Sequence, residues 1–149
     1  MRRNRIHHTA IVTGDLEAGL RFWGKGIGMQ QFLDHTFEGD WPTLLGAPGT
    51  QVRSVMLGDP ETPEAGVVEL VEYPAEVAAE APPPGGWNRG FLLVSLFVPD
   101  LDEVLGRLAA LGYDDVKRIE VDGPTGPVPM ASLCDPDGVL VELIGTTGM

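Results

Sequence analysis

The sequence predicts an α+β protein of two tandem βαβββ modules, and three observations carry that prediction. A strand-like apolar run is followed by a helical stretch and then by three more strand-like runs, and this order occurs twice. The densest proline and glycine stretch runs from Pro74 to Arg89 near the midpoint, with Pro82-Pro83-Pro84-Gly85-Gly86 inside it, where neither a helix nor a central strand can continue. The spacings repeat as well: His8 stands seven residues before Asp15, and Leu93 seven before Asp100. We therefore read one domain over 1–149, built of modules 5–74 and 90–145 joined by a linker at 75–89.

The first module opens with Ile6 to Thr13, short and rich in β-branched residues, as a strand requires. Asp15 is a plausible N-cap for a helix over 15–23, in which Leu16, Leu20 and Trp23 recur at helical spacing. Gly24, Gly26 and Gly28 supply its stop. Strands are expected at 30–37, 52–57 and 66–73, separated by Gly, Pro and Asp turns. In the second module a strand at 91–98 precedes a helix that opens on Asp100 and ends near Gly112. Strands then follow at 117–121, 128–134 and 139–144. Asp15 to Glu69 spans 54 residues and Asp100 to Glu142 spans 42, a difference that fits an enlarged loop from Glu38 to Gln51 in the first module.

Composition removes several classes of function. Ten Lys and Arg against 22 Asp and Glu give a net charge of −12, which argues against a nucleic-acid or anionic-membrane partner because phosphate would be repelled. One cysteine, Cys134, excludes an internal disulfide framework and a cysteine-built zinc site. No apolar run approaches the roughly 18 residues of a membrane span. The basic start, Met1 to Arg5, is broken by His7, His8, Gly14 and Asp15 before a signal-type apolar region forms. The expectation is a soluble, cytoplasmic protein that meets small molecules.

Three residues stand out chemically. In Val139 to Ile144 both faces of the strand are apolar, so it reads as buried on both sides, with Glu142 between Leu140 and Ile144. A buried, unpaired carboxylate costs several kcal/mol, so Glu142 calls for a partner or a metal. Glu69 repeats the situation between Val67 and Val71. His8 shares a face with Ala10 and Val12, while His7 is expected to point the other way. One imidazole and two carboxylates at equivalent places suit a divalent ion such as Mn, Fe, Co, Ni or Zn. The plainer readings are a solvent-facing His8 and glutamates at a sheet edge paired with Arg53 or Arg21. Glu72 is expected to be solvated and Cys134 to be a small buried apolar residue. His35 and Trp41 flank the long loop, where they line a pocket mouth or simply pack. No Ser-His-Asp signature stands out.

The chain resembles the vicinal oxygen chelate superfamily, which includes glyoxalase I, extradiol dioxygenases, methylmalonyl-CoA epimerase and the fosfomycin and bleomycin resistance proteins. The resemblance rests on the stretch from His8 to Leu16 with Phe22-Trp23, on Val68-Glu69-Leu70, on Phe97 to Leu101, and above all on Asp135-Pro136-Asp137-Gly138-Val139-Leu140-Val141-Glu142-Leu143. It implies paired modules whose curved, mixed sheets form a cup around a divalent metal. By motif, His8, Glu69 and Glu142 match three of the four ligand positions. The remaining position, a histidine in the first strand of the second module, is Leu93, and no histidine follows His35.

That departure weighs most against a ring-cleaving dioxygenase, which resembles a two-His-one-carboxylate iron site. Isomerase, epimerase and lyase members need only a Lewis acid on a carbonyl or enediolate and a carboxylate to move the adjacent proton, a role we assign to Glu142. The alternative is a metal-free protein of the bleomycin-resistance type that sequesters a small molecule, favouring a cationic one. Leu93, Trp23, Trp41 and Tyr73 would then line an apolar pocket. A structural or regulatory duty alone is a third reading. The resemblance also implies a homodimer.

Overall fold

A computed structural model describes residues 3–74 and 87–145, so the proline-rich part of the linker lies outside the described residues. The first half contains strands β1 (His8–Thr13), β2 (Gln30–Glu38), β3 (Gln51–Gly58) and β4 (Val67–Glu72). Helix α1 (Leu16–Leu20) follows β1, and a short helix α2 (Trp41–Leu45) sits between β2 and β3. The second half contains β5 (Val94–Val98), α3 (Leu101–Ala110), β6 (Lys117–Gly123), β7 (Gly126–Cys134) and β8 (Leu140–Gly145). They form two four-stranded mixed sheets in the orders β1-β4-β3-β2 and β5-β8-β7-β6, the α+β architecture expected. Among the described residues no helix is long and apolar enough to cross a membrane.

The two sheets repeat each other residue by residue at one place. β1 runs parallel to β4 with Ala10 opposite Glu69, and β5 runs parallel to β8 with Ser95 opposite Glu142. Two residues before Ala10 and Ser95 stand His8, the first residue of β1, and Leu93, which immediately precedes β5, so the two occupy equivalent places.

Local chemistry explains the helices. The Asp15 carboxylate accepts from the Ala18 N–H at 3.1 Å, and the Asp100 carboxylate from the Glu103 N–H at 3.0 Å, so both helices start at a capping aspartate. On α3, Leu101, Val104 and Leu108 recur at helical spacing and are buried. The first helical stretch runs past the expected end at 23. After Leu20 it widens into a π-helical turn over Arg21–Gly26, with the Ile27 N–H donating to the Phe22 carbonyl five residues back at 2.9 Å. The cause is packing, because the consecutive Phe22 and Trp23 are both fully buried and Gly26 lies against Leu108 of α3. The glycine run therefore serves close approach as well as the stop, which comes at Gly28 with φ +98°. Arg107 of α3 satisfies the carbonyls left open there, donating to Gly26 O at 3.1 Å and Ile27 O at 3.3 Å.

One hydrophobic core draws on both halves, with Phe22, Trp23, Leu57 and Leu70 joined by Val104, Leu108, Val141 and Leu143. Its position corrects one expectation. β8 is not buried on both faces: Val141 and Leu143 are fully buried, whereas Leu140, Glu142 and Ile144 are half-buried. In β4 the same alternation leaves Glu69 and Val71 half-buried beside the buried Val68 and Leu70. Each module has helix packed on one face of its sheet, so the other face stays uncovered. The enlarged loop also has structure of its own. Asp40 caps α2 through the Thr43 N–H at 3.3 Å, and Gly46 ends it with φ +70°.

Candidate functional site

The uncovered face of the first sheet carries a histidine and a carboxylate in contact. Strand alternation puts His8, Ala10 and Val12 on the side opposite the buried Ile11 and Thr13. Glu69 enters the same face from β4, opposite Ala10. His8 Nε2 lies 3.5 Å from Glu69 Oε1, with the His8 side chain 38% exposed and that of Glu69 16%. The other carboxylate oxygen accepts a hydrogen bond from Ser54 Oγ at 2.5 Å, and Ser54 is buried at the base of the pair. Neither Arg53 nor Arg21 takes the role considered for them at Glu69. Arg53 instead binds Asp34 at 2.9 Å and Glu72 at 3.4 Å along the sheet surface, and it holds the Asp34 carboxyl below its ordinary range.

The uncovered face of the second sheet repeats half of this arrangement. Ser95 Oγ donates to Glu142 Oε1 at 2.8 Å, and Ser132 of β7 stands opposite Glu142 on the other side. Leu93 occupies the place of His8, so this sheet presents a carboxylate without an imidazole.

Among the described residues no three His, Cys, Asp or Glu side chains gather closely enough to hold a metal ion. His8 and Glu69 come together, but Glu142 stays on its own sheet with Ser95. A divalent cation nevertheless fits the pair in two respects. An imidazole nitrogen and a carboxylate oxygen face each other from adjacent strands, and the second nitrogen of His8 is already engaged, its Nδ1 lying 2.9 Å from Nδ1 of His7. An occupied second nitrogen is the usual condition of a metal-binding histidine. The pair supplies two protein donors, and among the described residues no third gathers with it.

The structure places the expected pocket residues as follows, and one of them requires correction. Trp23, expected at a pocket, is instead fully buried in the core, and its Nε1–H donates to Asp135 Oδ2 at 3.3 Å. Its helical spacing with Leu16 and Leu20 marks a core stripe. Trp41 lies in α2 and donates to the Phe37 carbonyl at 3.1 Å. His35 is exposed on β2 and packs edge-on against Phe37 with ring centroids 4.6 Å apart. Tyr73 follows β4, half-buried, with its backbone N–H on the Thr13 carbonyl at 3.0 Å. His7 does not point away from His8, since the two rings meet edge-to-face at 5.1 Å. Sequence reasoning missed His7, Ser54 and Ser95. Ser95 stands opposite Glu142, and Ser54 lies two residues along β3 from Met56, the residue opposite Glu69, relations that only strand pairing reveals.

A cleft of about 590 Å³ runs along the free edge of β1, lined by Ile6, His8, Ala10, Val12, Phe91 and Val139 among others. A second cavity, of about 420 Å³, lies where the loop after α3 splays from β7, with Tyr113, Lys117 and Cys134 in its wall. Burial pushes the Cys134 thiol up, so it stays protonated and is a poor nucleophile.

Two mixed four-stranded sheets, each with a serine-held carboxylate on its uncovered face at the strand next to the module's first, define a paired-module α+β protein. The chain belongs to the Glyoxalase/Bleomycin resistance protein/Dioxygenase superfamily, whose sequence model matches residues 5–143. It is 32% identical over 149 aligned positions to the lactoylglutathione lyase-like protein terB of Aspergillus terreus (strain NIH 2624 / FGSC A1156), a match covering 93% of this chain and 74% of that one. Solved structures share the fold. The glyoxalase family protein from Bacillus cereus superposes with a TM-score of 0.74 at 20% identity, covering 99% of this chain and 97% of its own. The trypanothione-dependent glyoxalase I of Leishmania major gives 0.61 at 23% identity, covering 96% and 87%. Family members of the glyoxalase I kind typically use a divalent metal.

Proposed function

We propose that the protein is a metal-dependent small-molecule enzyme that moves a proton beside a carbonyl or enediolate, as an isomerase, epimerase or lyase. The observation that carries this reading is the convergence of His8 Nε2 and Glu69 Oε1 at 3.5 Å on an uncovered sheet face. His8 and Glu69 would hold the cation, with Glu142 as the further protein ligand. A bound cation supplies Lewis acidity, stabilising negative charge on the substrate oxygen. Ser54 fixes the Glu69 carboxylate so that one oxygen remains free to face the imidazole. Glu142, oriented by Ser95, takes the proton from the carbon next to the carbonyl and returns it to a neighbouring atom.

A homodimer belongs to the same proposal. β1 and β5 are unpaired sheet edges among the described residues, and Val12 and Phe97 on them are 56% and 76% exposed. A second copy would cover these edges and would supply the third protein donor that the described residues of one chain do not gather.

Metal analysis of protein purified without chelators, followed by titration with Mn, Ni and Zn, tests the reading. Uptake at micromolar levels, lost in Glu69→Gln and His8→Ala, is expected. A wild type that stays metal-free under titration would overturn it.

One observation favours a second reading. Leu93 stands where His8 has its equivalent, and apolar side chains lie exposed on the same faces, which suits a pocket that holds a small molecule without a metal. The net charge of −12 favours a cationic ligand. Under this reading, thermal stability rises with cationic antibiotics and ignores divalent metals.

A further inference from the structure

We propose that His7 is a positioning residue that decides which nitrogen of His8 carries its proton, and so whether His8 presents a lone pair to a divalent cation. The inference rests on the metal-binding reading above and names a residue that reading does not use.

Nδ1 of His7 lies 2.9 Å from Nδ1 of His8. Two lone pairs at that distance repel and two N–H groups collide, so one nitrogen bears a hydrogen and the other accepts it. A neutral imidazole has a single N–H, which couples the two ends of the ring. If His8 accepts at Nδ1, its own hydrogen is on Nε2 and faces Glu69 Oε1 at 3.5 Å. If His8 donates from Nδ1, Nε2 is a bare lone pair beside the carboxylate. The first state suits the metal-free pair, where hydrogen meets anion. Only the second can coordinate a metal.

The backbone explains how neighbouring side chains meet. His7 precedes β1, and its carbonyl accepts from the Val67 N–H at 3.2 Å, so its main chain is pinned to β4. Its side chain escapes the strict alternation of the strand and folds back, edge-on to His8. Cation binding at Nε2 then requires a hydrogen on Nδ1 of His8, donated to His7. His7 in turn carries its own hydrogen on Nε2, in an exposed ring open to water. The hydrogen count of the pair does not change. Without His7, the Nδ1–H of the coordinating ring loses its protein acceptor, and the ring loses its orientation.

Three variants and two measurements test this. His7→Phe keeps a ring but removes the acceptor, His7→Ala removes both without adding bulk, and His7→Gln restores an oxygen that accepts from Nδ1–H. Calorimetric titration with Zn should show affinity falling about 10–100-fold in His7→Phe and His7→Ala, with His7→Gln recovering to within a few-fold of wild type. Nitrogen-15 NMR of histidine-labelled wild type should show the His8 hydrogen on Nε2 without zinc and on Nδ1 with it. Equal zinc affinity in wild type and His7→Phe, or a zinc-loaded His8 with no hydrogen on Nδ1, would overturn the role of His7 and leave the metal reading standing. A wild type that binds no zinc would overturn both.

Discussion

The backbone N–H of Gly14 donates to Asp137 Oδ1 across 2.9 Å, joining the turn after β1 to the turn before β8 over 123 residues of chain. This bond ties the first half to the second at the end of the strands that carry His8 and Glu142. Asp137→Ala should lower unfolding free energy by about 1–3 kcal/mol, the cost of a charge-assisted hydrogen bond. Asp137→Asn keeps an acceptor oxygen and should retain most of the stability. Urea unfolding of the three proteins measures both.

Asp135, in the same turn, is 5% exposed and accepts from the Asp137 N–H at 2.9 Å, the Val139 N–H at 2.8 Å and Trp23 Nε1–H. Burial raises its carboxyl above the ordinary value of 3.8, and these hydrogen bonds offset part of that rise. The folded state thus binds its proton more tightly than the unfolded chain does. Its stabilising contribution is complete below pH 3.8 and is lost as pH rises through the raised value. The stability of wild type minus that of Asp135→Asn should therefore decrease as pH rises above 3.8 in calorimetric scans.

Two glycines separate packing from backbone effects. A Cβ at Gly26 would collide with the fully buried Leu108, which cannot swing away. Gly26→Ala should destabilise by about 1–3 kcal/mol. Gly106, within α3, has open space where its Cβ would be, so Gly106→Ala should stabilise by about 0.5–1 kcal/mol. Thermal melts of the single variants and their combination check the signs.

Ser54 is buried with its hydroxyl on Glu69. Ser54→Ala leaves that carboxylate oxygen without its donor and should cost about 1–3 kcal/mol of stability. It should also weaken metal uptake roughly tenfold, the effect of losing a partner behind a ligand. Ser54→Thr should restore part of both, read by melting and metal titration.

Much of the fold was legible. The capping aspartates Asp15 and Asp100 mark real helix starts because a short carboxylate satisfies the open N–H groups of a first turn wherever the chain allows one. The repeated interval from His8 to Asp15 and from Leu93 to Asp100 survives in the register, which sets both residues two before the partner of a glutamate. Helix α2 was missed although Asp40, Pro42 and Gly46 spell a short capped helix, since a single turn leaves no periodicity to read. Trp23 was misplaced because an aromatic residue at helical spacing looks the same from the sequence whether it faces core or cleft.

The site divides along the same line. Strand alternation and charge were enough to single out His8, Glu69 and Glu142, because a glutamate in an apolar strand must be answered by some polar partner. The identity of that partner was decided by folding: Ser54 and His8 for Glu69, Ser95 for Glu142. A one-dimensional pattern fixes which face a side chain shares, but the distance between faces depends on strand order, on sheet separation and on which face the helices cover. The sequence by itself therefore determined the duplicated βαβββ plan and singled out the candidate site residues on it. Only the tertiary structure turned His7 back onto His8, left the glutamate faces uncovered and kept the two carboxylates on separate sheets.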